Sequence, residues 1–334
     1  MSGISRRQCL HAGLVGLISA VSGCRNLRSR RDWRAPLPSS IVAGLTAEHV
    51  IAVAGQEVYY LSKADGSETA SFQMDVSSVA GVWETTGYAA TESGVAAFTE
   101  EGVLWSTEIE GAGPPRATVS RDSVYAARAD GLVALDRQTG ETRWRHTLPE
   151  PVTGRPVPGG GTLFVPVEGG VRALGPDRST VWTTDLRGAP KLTVGPERVY
   201  AVSDGIFALA REKGAELWTL GGWVEDTPVL RGETVFTGGN RLGVYAIDAR
   251  SGDPLWSTPS DDEDAATFTP PVLVGGTALT LGYGPLESEL LAIDTVSGEI
   301  QWREALEDAQ RSSPRADSSR VYVGDSGGVR AFSL

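Results

Sequence analysis

The residues that could support acid–base or metal chemistry are few in this chain. Its 334 residues include three histidines, His11, His49 and His146. Two histidines widely separated in the mature part do not supply a three-histidine metal site. We interpret His146, two residues after a repeated tryptophan, as a strand-surface residue rather than a catalyst. No CxxC, P-loop or G-x-S-x-G pattern occurs, so we assign no catalytic residue.

The densest acidic run is DDED at 261–264, in a long connection. A calcium loop needs several oxygen ligands around a sharp glycine turn, and this run has no glycine at that spacing. We interpret the run as a solvated loop, with a weak cation site or a partner contact as the alternative. The segment GGWVED at 221–226 holds a tryptophan that would either cap the core or line a binding surface. The possible partner surface is therefore Trp223, Asp261, Asp262 and Asp264.

The first 24 residues have the features of an export signal. Arg6 and Arg7 lie in SRRQCL, which resembles the twin-arginine export motif. The apolar stretch that follows, at 10–22, has the length of the apolar h-region of a signal peptide, whereas a membrane-spanning helix needs about 20 residues. VSGC at 21–24 resembles a lipobox, in which Cys24 carries the lipid. The alternative is a buried N-terminal helix.

These motifs predict the organisation of the chain and its destination. We expect a twin-arginine lipoprotein signal peptide at 1–23, a lipidated tether at 24–32 and a single domain at 33–334. The protein would be lipid-anchored to the outer face of the cytoplasmic membrane. The two cysteines agree with this, since Cys9 would be removed and Cys24 acylated, leaving no disulfide in the mature domain.

A repeat of nearly 40 residues organises the remaining chain. Three segments align without gaps: ALDRQTGETRW (134–144), AIDARSGDPLW (246–256) and AIDTVSGEIQW (292–302). Shorter or looser copies end at Trp105, Trp182 and Trp218. An alternating strand precedes each copy. A period near 40 residues with several strands per unit indicates a β-propeller.

The pattern A-x-D-x-x-[TS]-G-x-x-x-W has a structural meaning at each position. The aspartate can accept hydrogen bonds from its own downstream amides, and the glycine supplies a positive φ for a hairpin turn. The small alanine permits the close approach of a neighbouring indole. The tryptophan buries a large ring while its N–H needs an acceptor.

This pattern resembles the tryptophan-docking motif of PQQ-type β-propellers. That group includes the quinoprotein alcohol dehydrogenases and the non-enzymatic lipoprotein of the bacterial outer-membrane assembly machine. The resemblance covers residues 33–334 and implies an all-β fold. It further implies structural docking roles for the repeated tryptophans Trp33, Trp105, Trp144, Trp182, Trp218, Trp256 and Trp302.

Of the two branches, the residues favour the non-enzymatic one. The dehydrogenases hold PQQ beside a Ca²⁺ ion with carboxylate and asparagine side chains, and many carry an adjacent cysteine pair. This chain has no cysteine after Cys24 and, beyond Asn26, only Asn240. We therefore expect no cofactor and no metal.

Eight strand cores predict eight blades, the first with alanine, Ala70, at the tryptophan position. The eighth core, VRAF at 329–332, ends before any turn or tryptophan. WRAPLP at 33–38 supplies that missing end, with Trp33 as its docking residue. We expect the N-terminal strand to complete the last blade and close the ring, because pairing it there hides both sheet edges. The alternative is that Trp33 belongs to the tether and has no docking role.

The composition limits the kinds of partner that we expect for this protein. The net charge is −12 with only three lysines, and we interpret this acidic, arginine-using composition as salt-adapted, with a haloarchaeal source. An ordinary acidic protein from a GC-rich genome is the alternative. No basic stripe occurs in the mature part, so we expect no nucleic-acid partner.

Three classes of function remain, and we favour the first. It is a monomeric, membrane-anchored extracytoplasmic propeller that acts as a non-catalytic scaffold for an unknown envelope protein or component. The alternatives are a PQQ- and Ca²⁺-dependent dehydrogenase, or a protein that captures a sugar or small ligand on stacking aromatics such as Trp223 or Tyr283.

Overall fold

The structure is a computed structural model that describes residues 30–222, 226–239, 243–258, 267–283, 288–306, 309 and 312–334. The export and lipidation residues Arg6, Arg7 and Cys24 lie outside these ranges, as does the partner surface suggested by the sequence, Trp223, Asp261, Asp262 and Asp264. Within these ranges all regular structure is β, and no helix is long and apolar enough to cross a membrane.

Thirty-three described strands form eight sheets, which are the blades of a propeller. Blade 1 is β2 Ser40–Leu45, β3 His49–Ala54, β4 Glu57–Ser62 and β5 Glu68–Gln73. Blade 2 is β6 Ser78–Trp83, β7 Thr86–Ala90, β8 Gly94–Thr99 and β9 Gly102–Glu108. Blade 3 is β10 Arg116–Val119, β11 Ser123–Arg128, β12 Gly131–Asp136 and β13 Thr142–Thr147. Blade 4 is β14 Val157–Gly159, β15 Thr162–Val167, β16 Gly170–Leu174 and β17 Thr180–Asp185.

The second half of the ring repeats this plan. Blade 5 is β18 Lys191–Val194, β19 Arg198–Val202, β20 Gly205–Ala210 and β21 Glu216–Gly221. Blade 6 is β22 Val229–Arg231, β23 Thr234–Gly239, β24 Gly243–Asp248 and β25 Pro254–Ser257. Blade 7 is β26 Thr267–Phe268, β27 Val272–Val274, β28 Thr277–Tyr283, β29 Ser288–Asp294 and β30 Ile300–Leu306. Blade 8 is β31 Arg315–Ala316, β32 Arg320–Asp325 and β33 Gly328–Ser333, with β1 Arg31–Pro36.

The core is divided among the blade junctions. The described residues form eight buried apolar clusters, each between two consecutive blades. The two middle strands of a blade are therefore buried on both faces, as in β3 and β4 of blade 1. The outermost strand is buried on one face only, so β5 and β13 alternate. Packing between blades thus holds the ring together.

The predicted closure of the ring is confirmed. Strand β1 pairs antiparallel with β33, with Trp33 opposite Ala331. Strand β1 begins at Arg31, two residues before the expected start of the propeller, because Asp32 has partners in blade 8. Its carboxylate lies 2.6 Å from Arg320 Nε and accepts a 2.5 Å hydrogen bond from Ser333 Oγ. The N-terminal strand is therefore the fourth strand of blade 8, as the sequence indicated.

A layer of three residues recurs across the blades. The second strand supplies a large residue, usually aromatic, the third an alanine and the fourth a tryptophan, all in one register. In blade 3 these are Tyr125, Ala134 and Trp144. The alanine leaves the space that the indole and the aromatic ring share, with centroids 6.0 Å apart. The corresponding tryptophans of the other blades are Trp105, Trp182, Trp218, Trp256, Trp302 and Trp33.

Most of these tryptophans reach the next blade. Trp218 of blade 5 donates from Nε1 to the carbonyl of Ala249 in the turn of blade 6, at 3.1 Å. A Cβ built on Gly252 of that turn would lie 2.6 Å from the indole, and Gly252 has a φ of 80°. Only glycine satisfies both conditions. Equivalent bonds are made by Trp33 to Lys63, Trp105 to Arg137, Trp182 to Arg211 and Trp256 to Thr295.

Asp248 organises the turn against which Trp218 packs. Its Oδ1 accepts hydrogen bonds from the amides of Arg250 and Ser251, at 2.9 and 2.8 Å. These bonds hold the pKa of Asp248 below its usual range. The repeated aspartate therefore acts on its own downstream amides, which is a structural role.

Two junctions depart from this plan. The turn of blade 4 is one residue shorter, and Arg178 occupies it with a φ of 68°. The Arg178 guanidinium lies 5.8 Å from the Trp144 ring centroid. Blade 8 has no such turn, and Arg30 instead lies 4.9 Å over the Trp302 ring. At both junctions an arginine covers the indole.

Blade 1 has the same three-residue layer, but the large and the small side chain of its third and fourth strands are exchanged. Tyr60, which pairs with Ile51, stands where the other blades have alanine, and Ala70, which pairs with Tyr60, stands where they have tryptophan. The phenol therefore fills the docking space from the neighbouring strand. Its hydroxyl is buried without a partner among the described residues, and burial raises the pKa of Tyr60. A cleft of about 370 Å³ remains beside it, at the junction with blade 2.

Candidate functional site: the central channel

The innermost strands surround a central channel of about 870 Å³. Its wall includes residues of β6, β10, β14, β18, β22 and β27 and the start of β31, so seven blades contribute to one space. A channel on the axis of a ring collects side chains that are far apart in the sequence.

Positive charge dominates this wall. Among the described residues, four cationic side chains line the channel, and they are Arg116, Arg155, Lys191 and Arg315. The one carboxylate among the described lining residues, Asp226, lies 3.0 Å from Lys191 Nζ. The channel therefore has the opposite sign from the whole chain, whose net charge is −12.

The arginines lie inside the channel. Arg155 enters from the segment before β14 of blade 4, and its Nη1 donates to the carbonyl of Val79 in blade 2, at 2.7 Å. This bond joins two blades that are not neighbours, so the side chain extends along the axial side of blade 3. The side chain stays partly exposed to the channel, and the hydration that it loses to neighbouring groups lowers the pKa of Arg155.

Arg315 lines the same channel from the opposite side of the ring, in blade 8. Loss of hydration lowers the pKa of Arg315, and repulsion from Arg155 adds to that effect. Among the described residues, no carboxylate lies within ion-pair distance of Arg116, Arg155 or Arg315. The channel thus holds like charges close together, as anion-binding sites do.

Sequence reasoning missed this cluster, although a signal was present. Innermost strands begin after a proline in the pairs Pro115-Arg116, Pro190-Lys191 and Pro314-Arg315. Apolar residues follow the proline in blades 4, 6 and 7. Aligning the repeat at this proline, instead of at its tryptophan, would have shown a basic position that recurs at the axis.

The channel does not fit the metal-assisted quinone site of the dehydrogenases. A Ca²⁺ ion takes six to eight oxygen ligands, usually with several carboxylates. The described lining offers one carboxylate, already paired with Lys191. Throughout the described ranges, no group of three or more His, Cys, Asp or Glu side chains is placed to hold a metal ion.

The other residues that the sequence suggested as functional lie within the framework of the propeller. His146 lies in β13 opposite Leu132, on a strand of the propeller wall. His49 lies 3.5 Å from Glu100. Tyr283, suggested as a stacking surface for sugars, is 8% exposed and packs in the cluster between blades 7 and 8. That suggestion is wrong for Tyr283, because neighbouring blades cover its ring.

The outer wall carries a second feature. On the outermost strands, the residue before the docking tryptophan points outward and is apolar in four blades. These residues are about half exposed, and they are Leu104, Val181, Leu217 and Leu255. Three of them belong to the consecutive blades 4, 5 and 6. The equivalent residue of blade 3 is Arg143, so the feature is confined to part of the ring.

Residues 91–334 match one family model in three overlapping segments, 91–211, 167–285 and 202–334. Its description is outer membrane protein assembly factor BamB. The chain belongs to this family. The prediction of a PQQ-type repeat is thereby confirmed for this BamB-family chain.

Curated relatives agree with the family. BamB of Burkholderia pseudomallei is 27% identical over 232 residues, which cover 61% of this chain and 58% of that protein. BamB of Vibrio cholerae is 29% identical over 246 residues, covering 60% and 58%. The quinohemoprotein alcohol dehydrogenase ADH-IIG of Pseudomonas putida is 32% identical over 123 residues, which cover 33% of this chain and 17% of the enzyme. The BamB-family chain thus matches under three fifths of the length of these BamB relatives.

Solved structures show the same fold. BamB from Moraxella catarrhalis superposes with a TM-score of 0.66 and 18% identity, covering 90% of this chain and all of that one. The computationally designed Ika8 protein superposes with a TM-score of 0.79 and 14% identity, covering 91% and 99%. At these identities the likeness concerns the fold alone, and it confirms the eight-bladed propeller.

Proposed function

We propose that this chain is an exported, lipid-anchored propeller that acts as a non-catalytic scaffold for another protein of the cell envelope. The match of residues 91–334 to a family described as an assembly factor carries this proposal. The lipobox cysteine Cys24 and the pair Arg6-Arg7 support export and anchoring on the outer face of the cytoplasmic membrane.

The outer wall of blades 4 to 6 supports contact with a partner. Val181, Leu217 and Leu255 are 53%, 49% and 54% exposed, and each stands at the same place in its blade. A row of exposed apolar side chains on adjacent blades is a feature of protein–protein contact surfaces. The partner would lie along the circumference of the propeller, leaving the channel free.

Site-specific photocrosslinking in living cells tests the scaffold. A photoreactive amino acid at Leu217 or Leu255 is expected to give one discrete adduct, identified by mass spectrometry. The matched control is Arg143, at the equivalent position of blade 3. Adducts at all three positions alike, or at none, would contradict a partner on blades 5 and 6.

The anchor has a separate test. The substitution Cys24→Ser is expected to abolish incorporation of radiolabelled fatty acid and to release the protein from the membrane fraction. Replacing Arg6 and Arg7 by lysine is expected to leave the precursor inside the cell. A Cys24→Ser protein that still sediments with membranes would argue against lipid anchoring.

A quinoprotein dehydrogenase is the second candidate, favoured by the 123-residue match to an alcohol dehydrogenase. The single described carboxylate of the channel argues against it. Titration of the purified mature protein with PQQ and Ca²⁺, followed by tryptophan fluorescence, separates the two. We expect no Ca²⁺-dependent binding; saturable 1:1 binding that requires Ca²⁺ would support the dehydrogenase instead.

A further inference from the structure

We propose that the central channel is a binding site for a small polyanion, a polycarboxylate or a phosphate compound, held by Arg155 and Arg315 without a metal ion. The site lies on the propeller axis and differs from the apolar outer wall assigned above to a protein partner. The proposal does not depend on the scaffold function.

Geometry places the two arginines in one space on the propeller axis. Arg155 is held by its 2.7 Å bond to the Val79 carbonyl, and that bond uses Nη1 alone. Its other donors remain for a ligand, since the guanidinium has five N–H groups. Arg315 comes from blade 8 and lines the same cavity. The described partner of Arg315 is the carbonyl of its neighbour Pro314, at 3.5 Å.

The positive charge of the channel wall indicates the class of ligand. Arg116, Arg155 and Arg315 have no carboxylate at ion-pair distance in the part of the chain that the structure describes. Arg155 repels Arg315 across this space, and like charges held close together cost free energy unless an anion offsets them. Planar guanidinium groups bind carboxylate and phosphate oxygens in a bidentate manner, and a multivalent anion would engage both arginines at once.

The lining also offers neutral donors. Thr153 lies beside Arg155 in the channel wall, and its hydroxyl is buried without a partner among the described residues. Thr118 and Ser313 line the same space. A hydroxyl can donate to an oxyanion, so these groups suit a ligand with several oxygen atoms.

Size favours a small molecule over a polymer. The cavity of about 870 Å³ lies in the range of pockets that bind small ligands and cofactors, about 300 to 1,000 Å³. Seven blades surround it, so a ligand must enter along the axis. A nucleic acid does not fit, because the basic surface is confined to the channel and does not follow a groove.

Calorimetric and thermal-shift titrations of the mature protein test the site, with citrate for polycarboxylates and pyrophosphate for phosphates. At least one is expected to bind 1:1 and to raise Tm, whereas chloride at equal ionic strength is not. The stronger of the two identifies the ligand chemistry. Binding of neither, in a protein shown to be folded, would overturn the proposal.

Substitutions locate the site. Arg155→Gln and Arg315→Gln are each expected to weaken anion binding at least tenfold. Arg250→Gln is the control, because Arg250 is exposed and paired with Glu233 on the surface. The double variant R155Q/R315Q is expected to keep or raise Tm without anion, because the repulsion between the two charges is gone.

The same variant separates ligand binding from a structural role. If the arginines served stability, R155Q/R315Q would lower Tm without anion, and anions would still bind. Unchanged affinity in the double variant would therefore contradict the proposal, even where the wild-type protein binds citrate or pyrophosphate.

Discussion

At the residue scale, the indole N–H decides how strongly a docking tryptophan joins two blades. Trp256 donates to the carbonyl of Thr295 at 3.1 Å, whereas Trp144 faces a turn shortened by one residue and has no described acceptor. Both side chains are half-buried. They differ in this hydrogen bond and in what covers the ring, which is Arg178 for Trp144 and Gly298 for Trp256.

Replacing each of these tryptophans by phenylalanine removes the indole N–H and keeps an aromatic ring. Trp256→Phe is expected to lower the free energy of unfolding by about 1 kcal/mol more than Trp144→Phe, the usual net value of one hydrogen bond. Urea unfolding followed by circular dichroism measures both. Equal losses would show that the ring alone, and not its N–H, holds the junction.

A second residue-scale effect is the pH dependence of the junction that closes the ring. Burial alone would raise the pKa of Asp317, but hydrogen bonds from Ser319, the Arg320 amide and Tyr322 outweigh burial and hold that pKa well below its usual range. Lys63 Nζ also lies 3.2 Å from this carboxylate. The carboxylate therefore favours the folded state in its charged form.

The sign of the pH effect follows from that depressed pKa. The contribution of Asp317 is present above its ordinary pKa of about 3.9 and is lost as pH falls through the lower folded value. We expect unfolding midpoints in urea to fall from pH 5 to pH 3. The variant Asp317→Asn is expected to lose on the order of 1 kcal/mol of unfolding free energy at pH 7. Its stability should then fall less between pH 5 and pH 3 than that of the wild-type protein. An equal fall in both proteins would contradict this role.

At the element scale, blade 1 shows that the docking layer conserves volume across strands. Tyr60 in β4 and Ala70 in β5 exchange the sizes seen in the other blades. Each single change should therefore be harmful, because Tyr60→Ala opens a cavity and Ala70→Trp overfills the layer.

The double variant Y60A/A70W restores the order found in blade 2. We expect Tyr60→Ala to cost about 3 kcal/mol or more and Ala70→Trp about 1–3 kcal/mol. The double variant should recover at least 1 kcal/mol relative to the sum, because the two sites share one space. Chemical unfolding of the four proteins measures this coupling, and additive losses would mean that the exchange is not compensatory.

At the scale of the whole molecule, stability depends on closing the ring. The apolar faces of each blade pack against its two neighbours, so an unclosed ring leaves two blades with one exposed face each. Strand β1 covers the edge of β33, and its Trp33 bonds to Lys63 of blade 1 at 3.0 Å. One strand therefore joins the ends of the array.

Removing that strand tests the closure. A chain that begins at Pro38 is expected to melt about 10 °C below one that begins at Arg30, with increased aggregation from the open edge of β33. Adding a synthetic peptide of residues 30–38 should restore part of the difference. Equal melting temperatures would show that the strand does not contribute to stability.

The sequence by itself determined the blade number, the turn chemistry and the strand that closes the ring. The turn chemistry is local, because Asp248, Gly252 and Trp256 lie within one repeat. The closing strand follows from comparing repeats, because the last copy lacks the end that residues 33–38 supply. Only the tertiary structure decided the convergence of Arg116, Arg155 and Arg315, because they come from blades 3, 4 and 8 and meet on the axis. It also decided the exchange at Tyr60, which depends on the pairing of adjacent strands. Periodicity shows which residues occupy equivalent places in the repeat, whereas only the closed ring brings those places from different blades to one axis.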